Sequence, residues 1–144
     1  MRKQHLPTTI LVATLLIVAA CTNQPSVLAP SGTETSSKNA DGYVKISAEQ
    51  LAEQMDDQDL TLVNVHIPYE GDLPETDLSI PYNEIAGHLD QLPDLDAPIV
   101  VYCVSGGMSM VAAKELAGHG YTNIIELDGG MGAWAATGYE LIRQ

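Results

Sequence analysis

"APIVVYCVSGGMSMVAAKELAGHG", Ala97 to Gly120, decides how the chain is read. The unbroken apolar run Ala97–Tyr102 suits a strand covered on both faces, because a strand with one wet face alternates apolar and polar residues. From Ser109 onward, Val111, Ala112 and Leu116 lie along one stripe, and Gly118 or Gly120 supplies the stop of a helix. Between strand and helix stand Cys103, Val104, Ser105, Gly106, Gly107 and Met108. In an open α/β sheet, this passage from strand to helix is where ligands bind.

The same alternation runs outward from this unit. Tyr43–Ile46, Leu60–Val65, Leu78–Tyr82 and Thr122–Leu127 have strand composition. Ser47–Met55 reads as a helix, with Ser47 as N-cap and Gln50 completing a capping box. Asn83–Leu92 has Ile85, Leu89 and Leu92 at helical spacing and ends at Pro93, and Met131–Gly138 makes a short closing helix. Strands alternating with helices predict an α/β fold with a mostly parallel sheet flanked by helices.

The first twenty residues differ from the rest. Arg2 and Lys3 precede the apolar segment Leu11–Ala20, which is too short for a comfortable transmembrane helix. This is the layout of an export signal, and "VAAC" (Val18 to Cys21) resembles a bacterial lipobox, which implies cleavage before Cys21 and a lipid on its thiol. The other reading is an uncleaved anchor with an incidental cysteine. Both tether the protein to a membrane with its domain outside the cytoplasm.

Residues 1–20 are thus expected to be a lipoprotein signal peptide, and residues 21–41, rich in Ser, Thr, Pro and Gly, a flexible linker. The folded domain takes 42–144. The full chain of 144 residues carries a formal charge of −13; loss of the signal leaves four basic residues against nineteen acidic ones, or −15. Such a charge excludes nucleic acid as a partner and serves solubility.

With Cys21 lipidated, Cys103 is the domain's one thiol, so no disulfide forms within it. Adjacent glycines permit the positive φ values that turn backbone N–H groups inward. Those groups and a helix N-terminus lower a cysteine pKa and favour the reactive thiolate. Exposed carboxylates farther than a Debye length, about 8–10 Å, are largely screened from such a pocket. Ser105 reads as a loop hydroxyl, Ser109 as a helix cap, Met108 as a lining or plug of the pocket mouth, and Trp134 as core.

His66, His88 and His119 lack the spacing of a metal-ligand set, so neither metal nor organic cofactor is expected. His66 and Glu70 are candidates for the pocket wall, as are Gly129 and Gly130, which form a tight turn beside the loop.

Three features resemble a rhodanese domain, the fold of persulfide-forming sulfurtransferases: "VVYCVSGGMS", the spacing from it to "GYTNIIELDGGMGAWAATGYEL", and "SIPYNEI" upstream. The resemblance covers about residues 42–144 and implies that Cys103 is the nucleophile and that Val104 to Ser109 bind the substrate. A sulfane sulfur would pass from a small donor, such as thiosulfate or polysulfide, to a thiol or cyanide. Phosphatases of a related fold need an arginine after five intervening residues, where this chain has Ser109.

Two departures from the family pattern stand out. Val104 and Met108 occupy positions often basic in catalytic rhodaneses, which lowers the expected affinity for an anionic donor. Asn64-Val65-His66 and Gly71-Asp72, joined by a short spacer, replace the usual Asp-Val-Arg and Gly-His pattern. A second reading is therefore a rhodanese-like binding module without turnover that docks a protein partner.

Overall fold

A computed structural model of the chain describes residues 37–56 and 58–142. The expected signal segment, Cys21 and most of the linker lie outside these residues. Among the described residues, five strands form one parallel sheet in the order β1-β5-β4-β2-β3: β1 is Val44–Ile46, β2 Thr61–Asn64, β3 Leu78–Ser79, β4 Ile99–Tyr102 and β5 Ile124–Leu127. Three α-helices accompany it, α1 (Ala48–Met55), α2 (Gly107–Gly118) and α3 (Gly130–Ala136). The expected α/β class holds.

Every residue of β4 is buried, as its uniformly apolar sequence requires of a central strand with both faces covered. Alternation along β4 sends Ile99, Val101 and Cys103 to one core and Val100 and Tyr102 to the other. Ala112, Ala113 and Leu116 of α2 pack into the first core, whereas Leu51 of α1 and Met131 and Trp134 of α3 pack into the second. Trp134 is core, as expected, and its indole N–H donates to the Glu140 carbonyl at 2.9 Å. On β5 the same alternation places Glu126 with Ile124, facing α2.

The capping box of α1 forms as read: Ser47 Oγ accepts the Gln50 N–H, and Gln50 Oε1 accepts the Ser47 N–H at 2.8 Å. Four expectations are corrected. Asn83–Leu92 forms no α-helix but two 3₁₀ turns, Ile85–Gly87 and Leu89–Gln91. Gly87 in the middle has low helix propensity, and Pro93 stops the stretch just beyond Leu92. β3 is only Leu78–Ser79, short of the Leu78–Tyr82 run, although the Ile80 and Tyr82 N–H groups still donate to the Asn64 and Val65 carbonyls at 2.9 and 3.0 Å. Helix α2 starts at Gly107, two residues before Ser109, because Gly106 at φ 96° turns the chain directly into the helix. Val111, placed on the apolar stripe, is instead 50% exposed.

Candidate functional site

Cys103 follows the last residue of β4 and is a free thiol only 1% exposed. The chain curls around its sulfur: the Gly106 N–H donates to Sγ at 3.1 Å, and Ser109 Oγ stands 3.6 Å from it. Only Gly106 of the glycine pair takes a positive φ; Gly107 is already helical. Ser109 is not the helix cap. Gly106 holds that position, and the buried Ser109 hydroxyl reaches the Gly106 carbonyl at 3.0 Å and Glu126 Oε1 at 2.7 Å.

The loop is held from behind by the start of α3. Met131 N–H donates to the Cys103 carbonyl at 2.8 Å and Gly132 N–H to the Val104 carbonyl at 2.9 Å. This close approach explains the glycine that opens α3: Gly130 has φ 56°, and a Cβ on it would lie 2.1 Å from the Cys103 oxygen.

In front of the sulfur lies a cavity of about 360 Å³ lined by His66, Tyr82, Cys103, Ser105, Gly107, Met108 and Val111. Neither lysine nor arginine is among these lining residues. Met108 and His66 both line the cavity. Glu70 does not line the cavity; it is exposed and meets His66 Nε2 at 3.2 Å. Gly129 and Gly130 do not line it either, since they brace the loop's far side. Val104 packs into the Trp134 core, while Gly106 and Ser109 surround the sulfur without facing the cavity. Of the expected loop, Ser105, Gly107 and Met108 remain to meet a ligand alongside Cys103.

Burial pushes the Cys103 thiol up, but the backbone N–H and hydroxyl of Ser109 and the N–H groups of Ser105 and Gly106 outweigh it. The thiol is therefore more acidic than an ordinary cysteine. Glu126 behaves in the opposite way: burial dominates and raises its carboxyl, against the pull of Ser109 and Lys45. No group of three or more His, Cys, Asp or Glu among the described residues could hold a metal ion.

Asn64, Tyr102 and Glu126 shape this site and were not among the candidate residues. Asn64 Nδ2 donates to the Gly71 carbonyl (2.9 Å) and Asp72 Oδ1 (2.8 Å), while its Oδ1 accepts the His66 N–H at 2.9 Å. Tyr102, buried in β4, accepts the Leu73 N–H at 3.2 Å and donates to Asp72 Oδ1 at 3.3 Å, so the loop carrying His66 is tied to the strand carrying Cys103. The buried amide at position 64 was a usable signal, because such a group needs partners. Glu126 gave a similar signal as an acid inside "IIEL".

A family model described as a rhodanese-like domain matches residues 47–137. A sulfurtransferase of Allochromatium vinosum is 32% identical over 102 residues, 68% of this chain and 94% of that protein. The thiosulfate sulfurtransferase GlpE of Pseudomonas syringae pv. syringae is 32% identical over 97 residues, 66% of this chain and 90% of that protein. A rhodanese-related protein of Thermoplasma volcanium has a similar structure, with a TM-score of 0.60 at 26% identity over 69% of this chain and 98% of the other.

Proposed function

Because the chain belongs to the rhodanese-like domain family, we propose that it is a sulfurtransferase in which Cys103 carries a sulfane sulfur as a persulfide. The observation that carries this reading is a free thiol, ringed by donors, at the floor of a cavity. The Cys103 thiolate attacks the outer sulfur of a donor, the bond from that sulfur to the donor breaks, and the donor's remainder leaves with the electron pair. Loop N–H groups hold the negative charge on sulfur before and after the transfer. A thiol or cyanide then attacks the outer sulfur and restores the thiolate.

Thiosulfate, named for one relative, is a dianion, and the lining offers it no lysine or arginine. Polysulfide and thiosulfate are both donors in this proposal, with thiosulfate the weaker. The same lack of cations favours a second reading, a binding module that keeps the fold without turnover. The proposal extends to location: a lipid on Cys21 and the linker after it hold the domain at a membrane, outside the cytoplasm, a reading supported by the sequence of residues 1–41.

Initial rates of thiocyanate formation from each donor and cyanide test the mechanism. Two half-reactions through one modified enzyme give parallel double-reciprocal lines, and Cys103→Ser abolishes turnover. Intersecting lines contradict the persulfide route, and a folded protein inactive with both donors favours the binding module.

A further inference from the structure

Glu126 is fully buried, and its surroundings satisfy only part of a carboxylate. Oε1 accepts from Ser109, whereas Oε2 has no hydrogen-bond partner. The ionisable groups around it are few. Lys45 on β1 places Nζ 3.7 Å from Oε2 but lies nearer Asp128, at 2.6 Å, and Asp128 opposes the ionised form. The buried face of α2 brings Ser109, Ala112, Ala113 and Leu116, none of them ionisable. From β4 comes Cys103, with His66 and Tyr82 beyond it on the cavity wall.

The count of hydrogens at Ser109 decides what this arrangement does. One hydroxyl hydrogen faces three acceptors: Glu126 Oε1 at 2.7 Å, the Gly106 carbonyl at 3.0 Å and Cys103 Sγ at 3.6 Å. While Glu126 is ionised, the charged acceptor at 2.7 Å takes it, and the Ser109 lone pairs turned to Sγ favour the S–H form. Once Glu126 is protonated, its O–H donates to Ser109 Oγ, and the Ser109 hydrogen is released to stabilise a thiolate.

We propose that Cys103 and Glu126 share one proton through Ser109, which makes Glu126 a positioning residue governing the pH at which Cys103 ionises. In the transfer, the thiol proton passes to Ser109 Oγ as the Ser109 hydrogen passes to Glu126 Oε1. A thiolate and a neutral carboxyl replace a thiol and a carboxylate; only bonds to hydrogen change and net charge is conserved. The opposite displacements of the two groups, thiol down and carboxyl up, fit such a pair.

The inference rests on Cys103 being the site's reactive group, and its test uses no sulfur donor, so it can fail separately from sulfur transfer. Thiolate absorbance and alkylation by iodoacetamide are followed against pH. Coupled groups titrate in two steps, so the wild-type protein gives a thiolate curve broader than one proton allows. Glu126→Gln gives a single step whose midpoint is lower by about one unit, with about tenfold faster alkylation on the acidic side. In a Ser109→Ala background, the same substitution moves the midpoint less than half as far. A wild-type curve of one unit-slope step, an unmoved midpoint in Glu126→Gln, or an equal shift without the Ser109 hydroxyl overturns the proposal.

Discussion

Gly130 lies against the carbonyl of Cys103 so closely that a Cβ at position 130 would stand 2.1 Å from the Cys103 oxygen. The backbone φ of 56° there adds a second obstacle to any side chain. Gly130→Ala is expected to cost about 2–4 kcal/mol from the strained conformation and the overlap together. It should also push the Cys103 loop forward and suppress sulfur uptake. Gly118 is the control: it lies in α2, and a Cβ added there would meet nothing within 4 Å. Gly118→Ala should gain about 0.5–1 kcal/mol. Thermal melts of the two variants against the wild type check both.

Glu126 ties stability to pH. Its carboxyl binds a proton more tightly folded than unfolded, because burial opposes the charge. Between the ordinary value of 4.5 and its raised folded value, the folded state therefore holds more protons, and stability falls as pH rises through that window. Glu126→Gln has no such proton to lose. Its stability relative to the wild type should climb with pH from about 4.5 and level off once Glu126 is ionised in the folded protein. Denaturant melts of both proteins across that range measure the difference.

Tyr102 connects the two sides of the cavity. Tyr102→Phe leaves the Leu73 N–H without its acceptor and removes the hydroxyl contact to Thr76 Oγ1 at 2.6 Å, at an expected cost of about 1–3 kcal/mol. Since the loop from Asn64 to Leu73 carries His66, the substitution should raise KM for the donor more than it lowers kcat. A melt gives the first number and donor titration the second.

The strand, loop and helix around Cys103 were legible because each element announces itself locally: an apolar run, small residues, then Ala- and Leu-containing helix formers closed by glycine. The helix begins earlier than its stripe indicated, since glycines read as loop until Gly106 is seen to set the turn and Gly107 to join the helix. His66, Glu70 and Gly129–Gly130 were all candidates for the wall, and the sequence could not separate the one that lines the cavity, His66, because lining depends on which side of the loop each one reaches. The hydrogen bonds of Tyr102 to Leu73 and of Ser109 to Glu126 span 29 and 17 positions, distances over which a pattern along the chain carries no signal.

Intact mass of the protein after incubation with thiosulfate or polysulfide decides whether Cys103 takes up sulfur. The expected result is the gain of one sulfur atom per chain, removed by dithiothreitol or cyanide and absent in Cys103→Ser. A folded protein with a free Cys103 thiol that gains no sulfur from either donor would contradict it.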